Sequence, residues 1–88
     1  MKVYLVIHTG STDYEPDEMM VNAYVNKSDA ASKLRESFEE DFRSMSGYAD
    51  VKKDVNHDSC DELIDYKLYI ENYFYKRNLC GIVKEIEL

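Results

Sequence analysis

Asp54, Asn56, Asp58, Glu62 and Asp65 place oxygen side chains at the first, third, fifth, ninth and twelfth positions of one segment, the spacing of a twelve-residue calcium loop. Three positions depart from that pattern. Ser59 stands where glycine makes the sharp turn, Asp61 replaces the usual apolar eighth residue, and Asp65 is one methylene shorter than the usual bidentate glutamate. The segment therefore reads first as a solvated acidic loop and only second as a weak calcium site. His57 and Cys60 lie in the same stretch, but a structural zinc wants four ligands and only His8 and Cys80 remain to complete them. No local motif pairs a thiol with a histidine for nucleophilic catalysis, and three scattered glycines leave no phosphate-binding loop. The carboxylates sit in charge-rich segments, where nothing separates two pKa values into acid and base roles. The expectation is a protein that is not an enzyme and uses no cofactor or metal.

The net charge of −7 is concentrated at Asp13 to Glu18, Glu36 to Asp41 and Asp50 to Asp65. Such a field repels phosphate backbones and anionic lipids, so direct nucleic-acid and membrane binding are disfavoured. The longest apolar run, Val3 to Ile7, is far short of the roughly 20 residues of a membrane span and too short for a signal-peptide core. A cytoplasmic protein is expected, with Cys60 and Cys80 as reduced thiols. Eight tyrosines and three phenylalanines among 88 residues supply enough apolar surface for one packed domain spanning 1–88.

The elements that must position these residues follow from periodicity. Lys2 to Thr9 is β-branched and aromatic and runs into Gly10-Ser11, as a strand does into a loop. Ser11 to Glu18, with the only proline, reads as an exposed connection, and Met20 to Asn26 alternates as a second strand. Ser28 sits where an N-cap belongs, with Asp29 in the first turn. Ala31, Leu34, Phe38, Phe42 and Met45 then form one helical stripe that stops at Ser46-Gly47. The pattern weakens from Tyr48 to Asp65, where Ser59-Cys60-Asp61-Glu62 has the form of a capping box for a single helical turn, with the start of a long strand as the alternative. Lys67 to Tyr75 is the third strand, Lys76-Arg77-Asn78 a turn, and Leu79 to Leu88 the last strand, with Gly81 a bulge or close-approach point.

This order predicts an α+β fold: a single ββαββ domain, a four-stranded mainly antiparallel sheet with one helix packed on one face. The helix is expected over Val3, Leu5, Ile7, Val21, Val25, Leu68, Ile70 and Phe74. The other face would carry Tyr4, Val6, Tyr24, Tyr69, Tyr73, Tyr75 and Val83, and a single helix cannot cover both sides. Tyrosine is amphipathic, orders at low entropic cost and is enriched at interfaces, so this face is the candidate contact surface. An open aromatic sheet is also how RNA-recognition folds stack bases, but the acidic balance and the lack of a basic rim argue against it.

The opening Val3-Tyr4-Leu5-Val6-Ile7, the helix start at Ser28-Asp29-Ala30-Ala31 and the closing Gly81-Ile82-Val83-Lys84-Glu85-Ile86-Glu87-Leu88 together resemble the small α+β proteins of unknown function found in gut bacteria and their phages. The resemblance carries over no functional residue. The expected function is a non-enzymatic protein-interaction module whose partner is a second protein, possible homodimerisation running through the tyrosine-rich face. The alternative is an acidic inhibitor whose carboxylates imitate a phosphate backbone and occupy a basic site on a DNA- or RNA-processing protein.

Overall fold

A computed structural model describes residues 1–12, 18–45, 47, 51–71 and 76–88. Five strands and one helix follow in the order β1 (Lys2–Thr12), β2 (Glu18–Tyr24), α1 (Lys27–Met45), β3 (Lys52–His57), β4 (Leu63–Glu71) and β5 (Lys76–Glu87). The strands form one sheet in the order β2-β1-β5-β4-β3, with every neighbouring pair antiparallel. The α+β class agrees with the sequence, whereas the strand count does not. β3 is an additional strand, and Lys76, Arg77 and Asn78 belong to β5 rather than to a turn, Lys76 pairing with Glu71.

β3 escapes a periodicity reading because only Val55 interrupts a run of polar residues. Pairing decides its conformation: Val55 lies opposite Tyr66 and Lys53 opposite Leu68, so β4 recruits it. Residues 58–62 are a turn, not the helical one that the capping-box pattern suggests. Asp58 Oδ1 accepts from the amides of Cys60 (2.9 Å) and Glu62 (3.0 Å), and the Asp58 amide donates to the Glu62 carbonyl at 2.9 Å. Asp61 takes the left-handed conformation there, with φ of 63°, which aspartate tolerates better than most side chains.

The helix begins two residues earlier than its sequence signal. Asn26 holds the cap position, its carbonyl accepting the Ala30 amide at 3.2 Å while its side-chain amide donates to Asp29, and Ser28 falls inside the first turn. At the far end Gly47 is in a turn, and Ser46 lies outside the described residues.

One side of α1 sits on the sheet. Ala30, Leu34, Met45, Val6, Leu68 and Ile70 are at most 2% exposed and, with Tyr66, Leu63 and Leu79, make the core. Successive strand residues point to opposite faces, so the register places the rest. Tyr4 lies opposite Tyr24 and Val6 opposite Val83, all against this core. The faces of β1 and β2 are therefore the reverse of the expectation. Val3, Leu5, Ile7 and Val21 lie on the helix-free side, and Val25 is 70% exposed just beyond β2. Leu68 and Ile70 are beneath the helix as expected, and Phe74 lies outside the described residues.

The physical reason is that the run Val3 to Ile7 is apolar on both sides, so alternation alone cannot orient it. The choice is made by β5, where Gly81 leaves a dent that the Leu34 and Tyr66 side chains fill. A Cβ there would come within 2.6 Å of Leu34 Cδ1 and 2.5 Å of Tyr66 Cε1.

Candidate functional site

Polar chemistry between helix and sheet converges on Asp41. This side chain takes the sheet-facing place that the sequence stripe assigns to Phe42, which is instead 42% exposed. Asp41 Oδ2 accepts from His8 Nε2 on β1 and from the Tyr66 hydroxyl on β4, both at 2.7 Å. The hydrogen bond to Asp41 raises the His8 pKa above its usual 6.5; burial opposes this, and the Asp41, Glu18 and Glu40 charges add to it. Burial, then the bond to Asp41, pushes the Tyr66 phenol well above its usual 10. An aspartate that orients a histidine is half of a general-base pair. The two thiols lie away from it: Cys80 is on the opposite face and Cys60 is exposed in the 58–62 turn, both free. The contact ties α1 to β1 and β4.

A pH dependence follows. The folded-state pKa of His8 lies above the unfolded value, so its contribution to stability is complete below about pH 6.5 and is lost as pH rises through the raised folded value. Denaturant midpoints measured from pH 5.5 to 8.5 are expected to fall over that upper window in the native chain and to lose the step in H8Q. A step that persists in H8Q would assign it to another group.

The helix-free face holds the second candidate. Ile7 lies at its centre, opposite Val21 on β2 and Ile82 on β5; Leu5 lies opposite Ala23, and Val3 opposite Ile86. Val21, Ile82 and Met19 are 51%, 44% and 69% exposed. Towards β4 and β3 the face turns charged. Tyr69 lies there between two lysines, Lys67 Nζ at 5.1 Å and Lys52 Nζ at 6.0 Å from its ring centroid, within cation–π range.

Of the seven residues expected on the open face, Tyr69 alone of the described ones is found there. Tyr4, Val6, Tyr24 and Val83 lie under α1, and Tyr73 and Tyr75 lie outside the described residues. The calcium-loop residues do not encircle a point. Asp54 and Asn56 project from extended β3, and Asn56 Nδ2 bonds across to Asp65 Oδ1 at 2.6 Å. Asp58 turns away to accept from Lys27 Nζ at 2.6 Å, which lowers the Asp58 pKa and raises that of Lys27. Among the described residues no group of three or more His, Cys, Asp or Glu side chains is placed to hold a metal, and no helix is long and apolar enough to cross a membrane. Sequence reasoning missed Asp41; its only signal was one acid three residues after Phe38 and four before Met45, on the edge of an apolar stripe.

Comparison with family models, with characterised proteins and with solved structures finds no match for this chain.

Proposed function

We propose that this protein is a non-enzymatic interaction module that pairs with a second copy of itself through the helix-free face of its sheet. The observation that carries the reading is the contiguous apolar centre of that face, Val3, Leu5, Ile7, Val21, Ile82 and Ile86, with Val21 half exposed and Ile82 nearly so. Contiguous apolar patches that stay open to water mark interaction sites. The molecule's 47 × 26 Å outline is roughly 1,200 Å², more than the about 800 Å² per partner of a standard interface. Two such faces stacked about 10 Å apart bury the apolar centre and leave the charged β4–β3 side as a rim.

An isologous pairing suits the patch, because its middle strand β1 presents the same aliphatic row to a two-fold mate. The phosphate-mimic reading has less support. On α1, Lys33 lies 3.7 Å from Glu36 and Arg35 3.6 Å from Glu39, so cations interrupt the acidic row a basic partner would need.

The test is solution mass by light scattering at micromolar concentration in low and high salt. A salt-resistant dimer is expected. V21D/I82D, which puts like charges on two exposed residues, is expected to weaken it at least about a hundredfold, because each buried unpaired charge costs several kcal/mol. Its circular dichroism should stay native. A monomeric native chain, or a dimer that survives both charges, removes the proposal.

A further inference from the structure

One strand lies apart from the helix backbone. α1 packs over β4, β1, β5 and β2, whereas among the described residues no α1 Cα lies within 8 Å of a β3 Cα, and β3 is reached through side chains, Val55 against the core and Lys53 over Phe42. The result is an open trough of about 480 Å³ between α1 and β3, with Val55 on its floor, Ala31 and Phe38 on its wall and Asp61 and Glu62 at one end. That volume lies within the range of specific ligand pockets. Among the described residues β3 is also a sheet edge, bonded to β4 on one side, so its other side offers backbone donors and acceptors directly beside the trough.

The charges along the trough are unevenly used. Arg35 is engaged by Glu39 at 3.6 Å, and Lys53 Nζ lies 5.5 Å from the Phe42 ring centroid. Lys52 turns to the other face over Tyr69, and Lys27 is held by Asp58. Asp61 and Glu62 line the end of the trough where β3 turns towards β4; Lys27, bonded to Asp58, lies close enough to Glu62 to feel its charge, so Asp61 is the carboxylate there with the least compensation among the described residues.

The geometry points to β3 as an acceptor for an extended peptide of a partner protein, added antiparallel to the sheet edge, with a Lys or Arg at the Asp61 and Glu62 end and alternate apolar side chains over Val55 and Phe38. Main-chain bonds supply affinity in such strand addition, and the pockets for alternate side chains supply selectivity. In the antiparallel sense the basic residue is at the peptide's N-terminal end, because β3 runs from Lys52 towards the carboxylates. The six residues of β3 set the length of peptide engaged. This surface is separate from the helix-free face, so the two proposals stand or fall independently.

The probe is the blocked hexapeptide Ac-Lys-Thr-Val-Thr-Val-Thr-NH2, titrated into isotope-labelled protein and followed by amide chemical shifts. Shifts are expected at Val55, His57 and Phe38, with saturation at millimolar peptide or below. The same peptide with Glu in place of Lys is expected to bind about tenfold more weakly, and D61N/E62Q should abolish that difference. Of the two versions N-methylated on alternate residues, one should bind and the other should not, since only one set of amides faces the edge. Equal binding of the Lys and Glu peptides, equal binding of both N-methylated versions, or no shift at millimolar peptide overturns the proposal. So does movement of the β3 resonances on diluting the protein alone, which would make a second copy the occupant of the edge.

Discussion

Leu34→Ala is expected to lower the unfolding free energy by about 2–5 kcal/mol, the range for deleting a fully buried leucine side chain. Leu34 has no exposed surface and stands where α1 enters the dent at Gly81, among Val6, Tyr66 and Leu68. The cost combines lost transfer energy with the cavity left behind, and the neighbouring strands are tied into the sheet on both sides and cannot close it. In a domain of this size, about 4–8 °C of melting temperature goes with each kcal/mol. Urea titration of the native chain, L34A and F42A checks it. Phe42 belongs to the same sequence stripe but is 42% exposed, with the Lys53 ammonium over its ring and the Phe38 ring beside it. F42A is therefore expected to cost less than half as much as L34A. Equal losses would mean that the helix is rotated so that Phe42, not Asp41, meets the sheet.

Gly81→Val is the second large effect, expected to destabilise by about 3 kcal/mol, at the upper end of the usual range for overpacking. A side chain at 81 begins with a Cβ within 2.6 Å of Leu34 and 2.9 Å of two Tyr66 ring atoms. Tyr66 cannot swing aside without breaking its hydroxyl bond to Asp41 or its edge contact with Phe38, 5.2 Å between centroids. Valine's preference for strands is worth at most about 1 kcal/mol and does not offset this. Gly10→Ala makes the comparison: there the one close atom is the far end of the Leu79 side chain at 2.9 Å, which a rotamer change relieves. The pair is read by thermal melts. Should G81V melt within a few degrees of the native chain, the helix does not lie in the dent described.

Much of the fold was legible from residues alone because it rests on local periodicity. The α1 stripe has helical spacing, and the Lys2 to Thr9, Met20 to Asn26 and Leu79 to Leu88 segments have strand composition; each forms close to its expected bounds. β3 was not legible, since a strand whose sequence is Lys-Lys-Asp-Val-Asn-His carries no apolar alternation of its own. It exists through its bonds to β4. The 58–62 turn misled for a related reason: an acid three residues after a serine suits a helix start, but here Asp58 satisfies the same amides from outside the pattern.

The candidate surface divides the same way. An uncovered sheet face follows from counting, because one helix cannot cover two sides. Which side stays open does not follow, for β1 is apolar on both, and Tyr4 and Tyr24 proved to be core partners. Tyr66 illustrates it, its ring buried and its hydroxyl spent on Asp41, so an amphipathic side chain that suits an interface suits an interior equally when an acceptor is present.

By itself, then, the sequence determined the α+β class, the helix and most of the strands, because hydrophobic period is a local property that each segment carries with it. Only the tertiary structure decided the fifth strand, the face that α1 covers and the meeting of His8, Asp41 and Tyr66. The strand depends on pairing with β4 residues 6 to 17 positions away, and the other two on contacts between residues 25 to 73 positions apart, where a dent at one glycine and one shared carboxylate outweigh what any single segment prefers.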